Sequence, residues 1–576
     1  MTHRPRRPIA AILLAILVAG CAPTSSPKPS AVDVAPSDGT PSASVAGLPC
    51  DATPASSGPS SAESPWWRDR VFYEVFVRSF ADSDGDGIGD LRGLTERLDY
   101  LNDGDPATSD DLGVTALWLM PVAESPSYHG YDVTDYDVIE PDYGTAEDFR
   151  ALMTAAHERG IDVVVDLVLN HTSVDHPWFQ DARTPGSAHD DWYVWSDTEP
   201  RVSGPGGNEV WHRDGDRWYY GYFWEGMPDL NVENPAVTAA LDGVAAYWLQ
   251  DLGVDGFRLD AAKHLIEDGS TLENTPQTKA WLQGFRDRVE AIDPDALLVG
   301  EVWDATSVSS EYVRDGALDM TFAFGLAGST ISGVRFGDPA SLAVAQAEVD
   351  AAYPEGGFAS FLTNHDQDRS FDQLGRDGPS AKAAATLLLT GNGVPFVYYG
   401  EEIGLRGRKP DERIRTPLAW DANPPGYGFT SGTPWEAMAE GVDTANIAAE
   451  TSDPTSLLSR YRALIALRTA HPALRDGELI PVESSVPGVY AYLRHDTTET
   501  VAVVINLSKT PVSDVSLRLE SGPLCGSMTA TTLLADGDAD GVGPLAGNAT
   551  GGFDAWAIGS LAARDSLIVS IEPSAP

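Results

Sequence analysis

The stretch TAEDFRALMTAAHERGIDVVVDLVLNH, Thr145 to His171, decides the fold class. A helical stretch closes at Gly160 as its C-cap, and a β-branched run follows at once, IDVVVDLVL (161–169). A short run that is mostly apolar, without strict alternation, reads as a strand buried on both faces. Comparable runs lie at RVFYEVFVRSF (70–80), ALWLM (116–120), VDGFRLD (254–260), LLVGE (297–301), FASFLTN (358–364) and VPFVYYG (394–400), with a weaker one at DMTFAF (319–324). Helical stretches separate several of them. Eight such units predict an α/β chain built on a closed parallel (β/α)8 barrel. The alternative, a doubly wound open sheet, lacks the glycine-rich nucleotide fingerprint after its first strand.

Two segments break the alternation. From Thr172 to about Gly226 the chain is rich in Trp, Tyr, Gly and Asp without a strong helix pattern. A connection of that length needs structure of its own, so 172–228 is expected to be a small inserted domain after the third strand. The barrel then occupies 65–171 and 229–476. Beyond it VYAYLRHD, TVAVVINLS and DSLIVSIEP alternate as antiparallel strands do, which predicts a β-sandwich over 477–576.

At the N-terminus Arg4, Arg6 and Arg7 precede IAAILLAILVAG, an apolar run too short to span a membrane. It ends in small residues at Cys21 and resembles a bacterial lipoprotein signal. That resemblance implies removal of residues 1–20, lipidation of Cys21 and a chain exported to the cell surface on a membrane anchor; the alternative is a plain secretory signal cut nearby, which would release the chain outside the cell. Residues 21–64, mostly Ser, Pro, Ala, Thr and Gly, are expected to be a tether. Cys50 and Cys525 remain as a disulfide candidate in an oxidising compartment, although two buried free thiols would look the same in sequence.

The sequence has 38 Lys and Arg against 86 Asp and Glu, a formal net charge of −48. Such a surface repels nucleic acid and anionic lipid, so neither is expected as a partner apart from the lipid anchor. A monomer is expected. The charge says nothing about the substrate.

The strand ends carry the chemistry, because barrel active sites collect there. The third strand runs into Asp166, Asn170 and His171, the fourth into Arg258 and Asp260, the fifth into Glu301, and the seventh into Asn364, His365 and Asp366. In GFRLDAAKH (256–264) strand alternation puts Arg258 and Asp260 on one face. A guanidinium that close lowers a carboxyl pKa, which suits either a charged nucleophile or a structural ion pair. Three carboxylates converging with two histidines on one mouth would cost on the order of several kcal/mol in desolvation and repulsion. Function is the ready explanation, and paired carboxylates at a sugar-sized separation hydrolyse glycosides.

These four strand ends, in this order, resemble the conserved regions of the α-amylase superfamily, retaining α-glucoside enzymes of glycoside hydrolase family 13. The resemblance extends from about Trp66 to the C-terminus. It implies that Asp260 is the nucleophile, kept ionised by Arg258, and that Glu301 is the general acid and then the base. Asp366 would grip the sugar hydroxyls, His171 and His365 would donate hydrogen bonds to the same ring, and Tyr131 in SYHGYDVTDY would form an aromatic platform beneath it. Lys263 and His264 match residues used on the leaving-group side of the cleft. GEEIGL (400–405) matches a further region expected to be structural.

ADSDGDGIGDLRG (81–93) spaces Asp82, Asp84, Asp86 and Asp90 with the Ile88 carbonyl among them, an oxygen-rich turn suited to a hard cation. Position twelve is Gly93, so this is no EF-hand. Similar loops bind structural Ca²⁺ in members of the superfamily, and Ca²⁺ is expected here. Many α-amylases carry another calcium through the asparagine corresponding to Asn170, with further ligands in the variable insertion, where the sequence does not identify them.

The calcium loop resembles the oligo-1,6-glucosidase side of the family. DAAKH, Ala261 after the nucleophile, SYHGYD and MPDLN (227–231) resemble the α-amylase side instead. The mixture resembles the subgroup intermediate between oligo-1,6-glucosidases and neopullulanases. The resulting expectation is an endo-acting α-amylase on starch-like glucans and maltooligosaccharides. The alternatives are an oligo-1,6-glucosidase or α-glucosidase, a cyclomaltodextrinase or neopullulanase, and, remotely, a non-catalytic glycan-binding protein.

Overall fold

A computed structural model describes residues 64–537 and 542–574. The expected signal, most of the tether, Cys21 and Cys50 lie outside the described residues, so lipidation and the pairing of Cys50 with Cys525 stay expectations. No helix among the described residues is long and apolar enough to cross a membrane.

Eight parallel strands close into a barrel: β1 (Phe72–Val75), β2 (Ala116–Leu119), β3 (Asp162–Leu167), β4 (Gly256–Leu259), β5 (Leu297–Gly300), β6 (Met320–Phe322), β7 (Phe358–Phe361) and β8 (Val394–Tyr398). Each pairs with its neighbours in sequence order, and β8 pairs back onto β1. The weak sixth run is therefore a true barrel strand. Alternation divides each strand between two cores. Phe72, Trp118, Val164, Val299, Phe361 and Phe396 fill the barrel interior, with Phe72 and Phe396 stacked at 4.3 Å. Tyr73, Leu117, Val165, Phe257 and Leu259 face the surrounding helices.

The helix Ala146–Glu158 shows how local sequence sets these units. Thr145 and Asp148 form a reciprocal capping box at its start, and Gly160 takes φ 72° just past its end, a conformation that favours glycine. Gly256, which opens β4, is required for close approach, since a Cβ there would lie 2.3 Å from the Leu297 carbonyl oxygen.

The segment after β3 has structure of its own. A short helix, Pro177–Ala182, packs Phe179 against Tyr193, Trp195 and Tyr219. A small antiparallel sheet joins Trp195–Ser196, Arg217–Tyr220 and Trp211–Asp214 in that order. The segment returns through MPDLN, where Asp229 bridges to His171.

Beyond the barrel, eight antiparallel strands form one hydrogen-bonded order, with Glu478–Ser484 pairing to both halves. In Val489–His495 the rings of Tyr490 and Tyr492 join the barrel-side core, while Val489, Ala491 and Leu493 join a second core around Phe553 and Trp556. A buried arginine of this domain, Arg494, fastens it to the barrel, and another on a barrel helix, Arg468, ties carbonyls within the barrel. Arg494 donates to the carbonyls of Thr390 (2.8 Å), Gly391 and Gly477 (2.9 Å). Arg468 donates to Leu474 (2.8 Å) and Gly393 (2.9 Å). GEEIGL is structural as well: Glu402 accepts from the hydroxyls of Tyr73 (2.8 Å) and Tyr100 (2.7 Å), and Glu401 from that of Tyr461 (2.8 Å).

An orphaned buried acceptor costs ~1–3 kcal/mol, so Arg468→Ala is expected to lower the unfolding free energy by about 3 kcal/mol or more. A denaturant melt that moves by less than about 1 kcal/mol would show that water replaces the guanidinium.

Candidate active site

The polar floor of the site follows from strand register. Inward positions near the C-terminal ends of the strands hold Glu74 on β1, Trp118 on β2, Asp166 on β3 and Arg258 on β4. Glu74 lies beside Trp118, and Asp166 beside Arg258. Arg258 is fully buried, and its guanidinium carbon lies 5.1 Å from the Trp118 ring centre. Nη1 contacts Asp166 Oδ1 and Asp260 Oδ1, each at 2.8 Å, and Nη2 contacts Glu301 Oε2 at 2.8 Å. One cation therefore ties three carboxylates from successive strands.

Asp260 follows β4 directly, and the chain then turns sharply, with Ala261 at φ 47°. That turn aims the Ala261 N–H at Glu301 Oε2, 3.2 Å away. Two donors on Oε2 leave Oε1 as the oxygen free to face a ligand. Burial pushes the Asp260 carboxyl up to about 6 despite the opposing pull of Arg258. This corrects the expectation of a lowered value, because one guanidinium shared by three carboxylates does not offset their desolvation. Burial also raises Glu301, against the pull of Arg258 and with a push from Asp260.

Asp366 behaves in the opposite way. Burial alone would raise it, but His365 at 3.3 Å and Arg415 at 2.8 Å hold it far below the ordinary carboxylate range. The Tyr131 hydroxyl donates to Asp166 Oδ2 (3.0 Å) and lies 2.7 Å from His365 Nε2. His365 Nδ1 lies 2.6 Å from Glu74. His171 Nε2 donates to the Tyr131 carbonyl at 3.2 Å, and burial drives its pKa down to about 3, so the ring is neutral.

These groups line a cleft of about 450 Å³ at the barrel mouth, where Tyr131, His171, Asp260, Lys263, His264, Glu301 and Asp366 all meet. His365 and Arg258 lie beneath its floor. Lys263 pairs with Glu273 at 2.8 Å and donates to the Trp303 carbonyl at 2.9 Å, while burial pushes His264 down to about 4. Three aromatic residues at the lip stay exposed: Phe223 (45%), Trp224 (49%) and Trp303 (46%). Exposed apolar surface gathered at one mouth marks a contact site.

Sequence reasoning assigned no role to Glu74, Trp118, Asp166 or Arg415. Glu74 and Asp166 each carried a signal, a lone charge inside an apolar run. Arg415, in a loop after β8, carried none.

In the acidic loop the carboxylates of Asp82, Asp84 and Asp86 bring ligand atoms within 4.8 Å of one another. Burial and repulsion from Asp84 and Asp82 raise Asp86. That donor set fits a hard cation. The Asp90 carboxylate accepts from Gly93 N and Ser83 N, both at 2.7 Å, and so caps the following helix. A second cluster joins the barrel to the inserted segment. Asn170 Nδ2 donates to Asp229 at 3.0 Å, and the buried atoms Asn170 Oδ1 and Glu267 Oε1 have no hydrogen-bond partner. Burial, then repulsion from Glu267, holds Asp229 well above the usual carboxylate range.

Because Arg258 offsets the charge of buried carboxylates, Arg258→Met is expected to cost about 3–5 kcal/mol at neutral pH. Without the guanidinium the folded-state carboxyl pKa values rise further above their unfolded values. The deficit should therefore grow as pH rises and shrink as pH falls below about 6, where Asp260 takes up its proton in both proteins. Melts of both proteins from pH 5 to 8 check this, and a pH-independent deficit would contradict it.

Comparison with known proteins agrees with this geometry. The alpha amylase catalytic-domain profile matches residues 74–477. Alpha-amylase 3 of Dictyoglomus thermophilum is 40% identical over 452 residues, covering 77% of this chain and 86% of its own. The trehalose synthase/amylase TreS of Mycolicibacterium smegmatis is 35% identical over 518 residues, covering 78% and 85%. The crystal structure of the α-amylase from H. orenii superposes with a TM-score of 0.76 at 42% identity, covering 87% of this chain and 99% of that one. With its eight-stranded barrel and its cluster of strand-end carboxylates, this chain belongs to the α-amylase family of glycoside hydrolase family 13.

Proposed function

We propose that the chain hydrolyses α-1,4-glucosidic bonds in starch-like glucans and maltooligosaccharides by double displacement. The observation that carries this is the bridging of Asp260 and Glu301 by one guanidinium, each at 2.8 Å, beside a cleft flanked by exposed aromatic rings. That bridging favours the spacing of about 5–5.5 Å between carboxyls that retention requires. Asp260 attacks the anomeric carbon to give a glucosyl ester, while Glu301, protonated at Oε1, passes its proton to the departing glycosidic oxygen. Glu301 then takes a proton from water, which hydrolyses the ester and restores both groups. A nucleophile titrating at about 6 is ionised at neutral pH, and burial shifts Glu301 upward, the direction that a general acid needs. Asp366, held ionised, accepts from sugar hydroxyls, and Tyr131 supports the ring.

Phe223, Trp224 and Trp303 give sugar rings stacking surfaces beyond the bond being cut, which suits a polymer rather than a disaccharide. Export on a lipid anchor at Cys21, proposed from the signal pattern, suits a substrate too large to import.

Incubation of the full-length chain, with Ca²⁺, with an end-blocked maltooligosaccharide and separately with panose tests the proposal. Internal cleavage of the blocked chain with little action on the α-1,6 bond is the expected outcome. Asp260→Asn and Glu301→Gln are each expected to lower kcat by about 10³-fold or more. Release of glucose from the α-1,6 linkage alone would assign an oligo-1,6-glucosidase instead. A folded chain that cuts neither substrate would favour glycan binding.

The Asp82, Asp84 and Asp86 loop is proposed to hold one structural Ca²⁺. The Asn170, Asp229 and Glu267 cluster is proposed to hold a second, where a cation would satisfy the orphaned oxygens. Metal analysis should find two Ca²⁺ per chain, with one lost in Glu267→Gln, and chelation should lower Tm by about 5 °C or more. A metal-free chain with an unchanged Tm would remove both sites.

A further inference from the structure

We infer that Glu74, on the first barrel strand, is a positioning residue for the reaction: its carboxylate holds His365 as the doubly protonated imidazolium that orients Tyr131 and Asp366 on the cleft floor. Glu74 touches no part of the cleft. It is 2% exposed, and its carboxylate meets the His365 ring through Nδ1 at 2.6 Å and the His365 backbone N–H at 3.4 Å. A charged side chain at an inward position of an otherwise apolar strand is costly unless it has such a partner.

The direction of each hydrogen bond sets the charge state of His365. Both Asp166 oxygens face Arg258 Nη1, at 2.8 and 3.0 Å, so they accept, and the Tyr131 hydroxyl spends its one proton on Oδ2 at 3.0 Å. Tyr131 must therefore accept from His365 Nε2, 2.7 Å away. On the other side of the ring, Nδ1 faces the Glu74 carboxylate and donates to it. Both ring nitrogens thus carry protons, and the chain runs Glu74, His365, Tyr131, Asp166, Arg258 without a break.

The groups around His365 come from every packed element, the carboxylates favouring the charged ring and the Arg415 guanidinium opposing it. β1 supplies Glu74, β2 the edge of Trp118 at 5.6 Å, and the loop after β2 the stacked ring of Tyr131 at 5.5 Å. Asp366 follows in its own segment at 3.3 Å, Asp166 and Glu301 lie beyond, and Arg415 donates to the His365 carbonyl at 2.9 Å. Burial alone would discharge the ring, but Asp366 and Glu74 together push its pKa up to about 9. Replacing Glu74 by an isosteric amide keeps an acceptor for Nδ1 and removes the charge. The ring then loses the Nε2 proton at lower pH, and the Tyr131 hydroxyl is left between two acceptors with one proton to give.

The inference rests on the proposed glucan hydrolysis only for its kinetic readout. In the full-length enzyme, ¹⁵N-histidine NMR, assigned with His365→Gln, should show His365 as an imidazolium through pH 8 in the wild type. In Glu74→Gln it should titrate at least about one pH unit lower. The alkaline limb of kcat/KM should move the same way, with a loss at pH 8 of about ten- to a hundredfold, the scale of charge-assisted hydrogen bonds. Activity should recover as the pH is lowered. Glu74→Asp keeps the charge and should leave the alkaline limb in place even if kcat falls. An unchanged His365 titration with a uniform loss across pH would overturn the inference, and so would a limb shift in Glu74→Asp equal to that in Glu74→Gln. If the wild type turned over no glucan, the functional proposal would fail while the NMR titration still judged Glu74.

Discussion

Everything at the mouth of this barrel depends on a buried guanidinium shared among carboxylates. Arg258 contacts Asp166, Asp260 and Glu301 with two of its nitrogens, from a position with no solvent exposure. Attraction across such short distances in a poorly hydrated interior is strong, but so is the cost of drying four charged groups. The net result differs from carboxyl to carboxyl. Burial leaves Asp166, Asp260 and Glu301 all raised against the pull of Arg258, although Asp166 also accepts from Tyr131. Asp366 draws instead on His365 and Arg415 and stays strongly acidic. One fold thereby raises two carboxyls at the cleft, Asp260 and Glu301, and lowers a third, Asp366, the kind of separation that acid–base chemistry uses.

Strand register produces this arrangement. Every strand of a closed parallel barrel presents its alternate residues to the interior, and the inward residue nearest the C-terminal end lies next to those of both neighbours. Asp166 meets Arg258 because β3 and β4 pair in that register, and Glu74 meets Trp118 for the same reason on β1 and β2. A slip of two residues in any pair would separate the charges while leaving the apolar core intact. The polar floor is therefore a strong constraint on register.

Much of this was legible in the sequence because burial on both faces makes barrel strands read as continuous apolar runs, with the acidic residues Asp260, Glu301 and Asp366 standing at their ends. The C-terminal sheet was legible from its alternation. What escaped depends on distances along the chain that no local pattern encodes. Arg415 lies 49 residues from Asp366 in sequence, and the lip residues Phe223 and Trp224 belong to an insertion without periodicity. The direction of the Asp260 shift escaped for a related reason: sequence displays the neighbouring Arg258, whereas burial and the competing Asp166 and Glu301 emerge only in three dimensions. Glu74 was visible as a charge in an apolar strand, but its meaning depended on a histidine 291 residues away.

The arginines spent inside the molecule have a consequence outside it. Arg258, Arg369, Arg468 and Arg494 are all fully enclosed, with Arg468 and Arg494 facing backbone carbonyls rather than carboxylates. Those cations are lost to the exterior of a chain with formal charge −48, whose excess of acidic groups outlasts the burial of Glu74, Asp166, Asp229, Glu401 and Glu402 as well. At the cleft itself Asp260, Glu301, Asp366 and Asp411 outnumber Lys263 and Arg415. An anionic group approaching that mouth meets more acidic than basic side chains, whereas an uncharged one is indifferent to the imbalance. The sign of the cleft thus follows from the composition of the chain, with those enclosed arginines adding nothing to its rim.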